Sequence, residues 1–513
     1  MGAFSLHDPN AASELQYHYT SPEIQNNTVG VTKVDEDSIY RFASVSKLVT
    51  AYAGMVSLTE EEWNRPFTKI FSELEKSDDL TRVPQWQYVT PLSLASYISG
   101  VIGNAPPFPV ADMALDVLNA ALPDPVTLGL PPRPEPNPSL SKECEGQNSS
   151  CTIEDIIKEA SSRYPTYQPW TAPTYSNHGF ILLGLALEKL TNQTLQDVYN
   201  NALFKPLKMS SSDATDPKHL VDRVVVPGGD IAGVFVDSGL GAASGGVYST
   251  LNDMNKFGLS ILNHTLLSEQ ATKQWMKPVS HTTSLNFSVG VGWEILRYTH
   301  PVTNAVTDLY TKLGDSGPNG GGVVVIPDYG VGFNCLVAST DELKSTSQRF
   351  VLDAVIRHWL PALEAQAGIE AKANFAGTYA PKDKKLNSSL ALTYEPSIGG
   401  LWVSDWISNS TDVLANQPAI FKSNYGLRLL PSIYDKEHSK YAFRIRSGFN
   451  QTIADANNLY GPFTGTGSDD WISTGQFGYG GIPLDLAVFG LDDEGKAVSV
   501  ELPAFNVTLK REG

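Results

Sequence analysis

The chain has 513 residues, 41% of them hydrophobic and 18% charged, enough for more than one domain with its own core. Its net charge of −18 argues against a nucleic-acid partner, which calls for a basic surface. No apolar run of about 18 residues occurs, so no membrane span is expected.

In chain order, Ala3–Thr20 reads as strand, turn and strand around Asp8-Pro9-Asn10. Ser38–Ala43 reads as a short strand. Ser44–Leu58 reads as a helix, with Val45, Leu48, Val49, Tyr52 and Met55 at helical spacing. Leu92–Ser99 is a further short helix. Residues 101–150 are dense in proline, which forbids a regular helix or a central strand, and form a surface excursion. Helices are expected over Phe180–Leu190 and Leu195–Phe204, and Thr250-Leu251-Asn252-Asp253 signals the start of another. Val323–Ile326 and Val331–Val337 are apolar strands joined through Pro327-Asp328-Tyr329-Gly330. Ser345–Leu360 is a long amphipathic helix that Pro361 is expected to end. Short β-like runs follow. The expected organisation is a catalytic domain over 1–370, with its excursion at 101–150, and a β-rich domain over 371–513.

Chemistry enters at Ser44. A serine hydroxyl is a weak nucleophile until a base takes its proton. Lys47 stands three residues on, so both side chains share one face of the first helical turn. A lysine serves as base when burial or a neighbouring cation lowers its pKa. The helix N-terminus favours the negative charge that develops there. The same spacing recurs at Ser139–Lys142, where no helix is expected, and is read as chance. Singly, Ser44 is a helix cap, Lys47 a solvated charge, Tyr175 a half-buried aromatic, Asn177 a cap and Lys312 a surface lysine. His178 has no part in such chemistry.

Phe42-Ala43-Ser44-Val45-Ser46-Lys47-Leu48, Tyr175-Ser176-Asn177 and Lys312-Leu313-Gly314, in this order, resemble the three motifs of class C β-lactamases and their esterase and DD-peptidase relatives. Gly179–Leu190, Leu203–Leu207 and Gly245–Asp253 are similar to the same family. The resemblance covers roughly residues 1–360, and the β-rich remainder resembles that of secreted fungal β-lactamase-like proteins. It implies an α/β (α+β) fold of the β-lactamase/transpeptidase type. That fold has an antiparallel sheet flanked by helices and a helical region holding Tyr175, and a β-barrel-like domain follows. It also implies roles: Ser44 the nucleophile, Lys47 the base, Tyr175 a proton relay, Lys312 a positive charge, and Asn177 an orienting group. The N–H groups of Ser44 and Asp315, beside Gly314, would form the oxyanion hole. Two departures stand out. Leu313 occupies the place of a threonine or other small residue, and its apolar side chain cannot hydrogen-bond a substrate carboxylate. The chain also opens at its first strand, where the family has a preceding helix.

The expected activity is hydrolysis of a small-molecule ester or amide through an acyl-enzyme, without metal or cofactor. Transfer of the acyl group to an alcohol or amine is the runner-up, and binding or sensing without turnover the third reading. Gly314-Asp315-Ser316-Gly317 also matches the nucleophile motif of trypsin-like proteases, but no histidine stands in a context that would serve it. No G-x-S-x-G elbow occurs. Sequons at Asn26, Asn148, Asn192, Asn263, Asn286, Asn387, Asn409, Asn450 and Asn506, with Cys144 and Cys151 close enough to pair, point to secretion. Met1–Thr20 shows no signal peptide, which points to the cytoplasm. Cys335, in an apolar run, is expected to be a buried free thiol.

Overall fold

The computed structural model describes residues 1–74, 79–104, 125–132, 152–215, 218–235, 239–303, 305–383, 385–397, 399–421, 426–447 and 474–512. Cys144, Cys151, Asn148, Asn450, the Ser139–Lys142 repeat and most of the Pro-rich stretch lie outside them. The chain divides into two units, Met1–Tyr298 with Val306–Val355, and Thr299–Ala305 with Ile356–Gly513.

The first unit is built on a seven-stranded sheet. Its strands are β1 (Gly2–Ser5), β2 (Ser280–His281), β3 (Phe287–Val289), β4 (Glu294–Thr299), β5 (Val306–Ser316), β6 (Asn319–Ile326) and β7 (Val331–Ala338). They lie in the order β1-β7-β6-β5-β4-β3-β2. β6 is Gly-Gly-Gly followed by Val-Val-Val-Ile, buried throughout, as suits a central strand covered on both faces. β5 pairs antiparallel with β6, setting Lys312 opposite Val323, Gly314 opposite Gly321 and Ser316 opposite Asn319.

Period-two alternation assigns the two faces. Lys312, Gly314, Val323, Asn334 and Phe4 share one face. Against it lie helix α1 (Ser46–Ser57), entered through the turn Ala43–Val45, and helix α3 (Leu251–Leu262). Asn255 Oδ1 of α3 accepts from Asn334 Nδ2 at 2.9 Å. Leu313, Gly322 and the free, buried Cys335 belong to the other face, where Leu352 of helix α4 (Lys344–Phe375) packs. Helix α2 (Asn177–Thr191) crosses the helical region; Gly184 lets it approach Ala243, which a Cβ at that position would meet at 2.6 Å.

The second unit holds a closed barrel of eight strands: β8 (Gly377–Ala380), β9 (Ser389–Tyr394), β10 (Leu401–Ser408), β11 (Leu427–Asp435), β12 (Lys440–Ser447), β13 (Leu486–Leu491), β14 (Ala497–Leu502) and β15 (Val507–Arg511). Strand order runs β9-β8-β15-β14-β13-β12-β11-β10, and β9 pairs with β10 to close it. Its interior is its own apolar cluster, with Tyr379, Leu390, Trp406, Leu427, Phe489 and Leu509 buried.

Three expectations are corrected. The second strand expected before Thr20 is a short helix, Ala11–Glu14, because Ala-Ala-Ser-Glu favours helix and only a single bridge, Gly2 to Gln16, returns to β1. The helix expected from Ser44 begins with a tighter three-residue turn and becomes α-helical at Ser46. Pro361 does not end α4 but lies inside it. The Ala-rich run after it propagates the helix despite the lost hydrogen bond.

Candidate active site

From Ser38 to Gly54 every residue is buried except Ser44, which is half-buried. The turn that presents it is held from behind. Ser46 Oγ donates to the Ala43 carbonyl at 2.7 Å and accepts from the Val247 N–H at 2.9 Å. The Phe42 N–H donates to the Val247 carbonyl at 2.9 Å. Ala43 has φ of 49°, a left-handed conformation that costs a residue with a Cβ about 1–2 kcal/mol. The packed surroundings maintain it and so fix the direction of the Ser44 side chain.

Lys47 is completely buried. Its Nζ lies 3.0 Å from Ser44 Oγ, 2.6 Å from Asn177 Oδ1 and 2.7 Å from the Ser244 carbonyl. The last two oxygens only accept, so two N–H bonds of Lys47 are committed to them. The third tetrahedral position points at Ser44. It carries a proton in the ammonium and a lone pair in the amine. Burial, reinforced by the Lys312 charge and opposed by Glu294, pushes the Lys47 pKa well down. The arrangement is therefore suited to an uncharged amine aimed at the serine hydroxyl.

Asn177 is the first residue of α2, but the cap of that helix is Ser176, whose Oγ accepts from the Gly179 N–H at 2.7 Å. Asn177 is thereby free to turn to Lys47. Its Nδ2 donates to Asn104 Oδ1 at 2.7 Å, which fixes which end of the amide faces the lysine.

Tyr175 lies between the two lysines. Lys47 Nζ is 4.9 Å and Lys312 Nζ 5.1 Å from its ring centroid, and Tyr97 stacks on it at 5.7 Å. The residue is 43% exposed, with Ser44 and Lys312 near its hydroxyl. Burial raises its pKa; Lys312 and Ser44 oppose the rise. The resting group is a neutral phenol.

Lys312 is buried on β5. Its Nζ donates to Glu294 Oε1 at 2.6 Å and to the Leu313 carbonyl at 2.7 Å. Glu294 Oε2 accepts the Leu313 N–H at 3.1 Å, so that N–H points away from β6. Alternation along the strand aims the Asp315 N–H to the same free edge. Gly314 brings this edge against the nucleophile turn: a Cβ there would stand 2.2 Å from the Phe42 carbonyl oxygen and 2.8 Å from the Ser44 nitrogen. The start of α4 secures the strand end, since Lys344 and Ser345 both hydrogen-bond the Asp315 carboxylate. Lys344 also donates to the Asn319 carbonyl at 2.7 Å.

The side chains of Ser44, Lys47, Tyr175, Asn177 and Lys312 thus converge, with Gly314 and the Asp315 N–H beside them. Leu313 does not: its side chain lies over Gly322 on the opposite face. Sequence reasoning missed Glu294, Asn104 and the Ser244 carbonyl. None belongs to a short motif, and Glu294 meets Lys312 only through the pairing of neighbouring strands. His178 is buried behind Asn177 with neither ring nitrogen hydrogen-bonded, and burial pushes its pKa down to about 3. Among the described residues no three His, Cys, Asp or Glu side chains are grouped to hold a metal.

Residues 17–358 match the beta-lactamase family model. The chain belongs to the beta-lactamase family. Residues 367–513 match a second model, described as the C-terminal domain of beta-lactamase-like-like proteins. A beta-lactamase-like protein of Arthroderma benhamiae is 27% identical, with 97% of this chain and 84% of the relative covered. A probable hydrolase of Phoma sp. is 26% identical over 99% and 85%. The beta-lactamase of Escherichia coli is 23% identical over 51% and 59%. A penicillin-binding protein homologue from Pyrococcus abyssi superposes with a TM-score of 0.46 at 15% identity, covering 93% of this chain and 89% of its own. As a beta-lactamase-family protein, the chain is a hydrolase in its coarse class.

Proposed function

We propose that the protein hydrolyses an ester or amide through an acyl-enzyme on Ser44. The observation that carries this reading is the fan of three oxygens around Lys47 Nζ, two of them fixed acceptors and the third Ser44 Oγ. Uncharged Lys47 takes the hydroxyl proton as Oγ bonds to the carbonyl carbon. The carbonyl electron pair moves onto oxygen, held by the N–H groups of Ser44 and Asp315; each such donor is worth roughly 3 kcal/mol of barrier. Collapse restores the carbonyl and breaks the bond to the leaving group, which takes a proton through the Tyr175 hydroxyl. Water then repeats the sequence, releasing the acid and free Ser44. The relatives from Phoma sp. and Cochliobolus lunatus bear the name probable hydrolase, which favours water as acceptor.

The test is intact-mass spectrometry after mixing the protein with activated esters and β-lactams, beside Ser44→Ala. A mass gain confined to the wild type supports the reading. Equal labelling of both proteins overturns it. An adduct that persists in water but is discharged by added alcohol or amine replaces hydrolysis with acyl transfer.

A further inference from the structure

The edge of β5 next to Ser44 already holds an anion. Lys312 has three N–H bonds. One goes to Glu294 Oε1 and one to the Leu313 carbonyl, and the Tyr175 ring stands 5.1 Å from the same nitrogen. Glu294 Oε2 takes the Leu313 N–H. One carboxylate thereby answers both the cation and the backbone donor of this edge, in the bidentate way in which an anionic ligand would. Lys312 is 1% exposed, so it presents no open face to a ligand. Lys47, the other lysine of the site, is buried and directs its N–H bonds to Asn177 and Ser244. The chain as a whole carries a net charge of −18, which adds a repulsive field toward anions.

We infer that Glu294 is an internal carboxylate that occupies the anion position of the site, so that Ser44 is acylated by uncharged donors and discriminates against those with a carboxylate beside the scissile carbonyl. This rests on the acyl-enzyme reading above. Glu294 is a positioning and specificity residue: it touches Lys312 and the strand edge and leaves the reacting atoms to Ser44 and Lys47. An anionic donor must either displace it from Lys312 or sit beside it, and like charges at such a distance weaken binding severely. Glu294 also tunes the base. Its carboxylate contacts Lys312; its charge raises the Lys47 pKa against burial and Lys312, and raises those of Tyr97 and Tyr175.

Two matched ester pairs test the inference. Mono-p-nitrophenyl succinate against p-nitrophenyl butyrate places the carboxylate on the acyl side. 3-Carboxyphenyl acetate against 3-carbamoylphenyl acetate places it on the leaving-group side. The wild type is expected to favour the neutral member of at least one pair by about tenfold or more in kcat/KM. Glu294→Gln is expected to narrow that ratio about tenfold, chiefly through a lower KM for the anionic ester, whereas Glu294→Asp, which keeps the charge, retains it. Removing the charge also lowers the Lys47 pKa, so the acidic limb of kcat/KM moves to lower pH in Glu294→Gln. Equal use of both members of both pairs by the wild type overturns the inference without need of any variant. So does an unchanged ratio in a folded Glu294→Gln protein. A Ser44→Ala control separates this from the prior reading: ester turnover that survives in Ser44→Ala overturns the acyl-enzyme itself, whereas Ser44-dependent turnover without charge selectivity overturns only the role of Glu294.

Discussion

At the scale of single residues, the site depends on two contacts with no slack. Gly314 stands where a Cβ would be 2.2 Å from the Phe42 carbonyl oxygen. Gly314→Ala must push β5 away from the Ser44 turn and separate the two oxyanion donors. Steady-state kinetics on an activated ester should show kcat/KM lowered by about 100-fold or more. Lys47 is the second. It works deprotonated, and burial and Lys312 hold its pKa well down, so kcat/KM should rise with pH through a limb below the ordinary lysine range. Lys312→Met removes one of the two depressing influences. The limb should then move to higher pH, as a pH–rate profile would show. His178 gives a stability signal instead. Its pKa is about 3 when folded and about 6.5 when unfolded. Between these values the unfolded chain takes up a proton that the folded one refuses, so stability falls as pH drops from about 6.5 toward 3, by up to about 1.4 kcal/mol per unit. Urea unfolding at pH 7 and 4.5 should show a smaller loss in His178→Phe than in the wild type.

At the scale of elements, legibility followed sequence distance. Ser44 and Lys47 are three residues apart on one turn, so their contact was readable once a helix was. Tyr175 and Asn177 share the entrance to α2, and Lys312, Gly314 and Asp315 one strand. Only the resemblance to a known family joined the three segments, because nothing local says which strand edge meets which helix. Glu294 was invisible for that reason: its role exists only once β4 and β5 lie side by side. Leu313 shows the converse. Its apolar side chain looked decisive, yet alternation turns it to the far face, and its backbone N–H is what the site uses. Pro361 was misread because proline's missing N–H costs a helix without forbidding it. Pro361→Ala restores a donor inside α4 and should raise stability by roughly 1–3 kcal/mol, measured by chemical denaturation.

At the scale of the molecule, the fold class came from the family resemblance, while the change to short strand-like runs marked the β-rich domain from residue 371. Each unit has its own apolar cluster, and each is large enough to unfold cooperatively by itself. Scanning calorimetry should show two heat-absorption transitions; a single one would mean that α4, which has residues in both units, transmits unfolding from one to the other. The closure of β9 onto β10 carries a further consequence. Every one of the eight barrel strands has a neighbour on both sides, but β10 meets β11 only at Leu401–Leu429 and Trp402–Arg428, so among the described residues Leu430–Asp435 of β11 pair as strand with β12 alone. A protein that recognises this barrel by lengthening its sheet would have to do so along that exposed stretch, where Pro431 supplies no N–H. Elsewhere it must read side chains, from the loops or the outer wall.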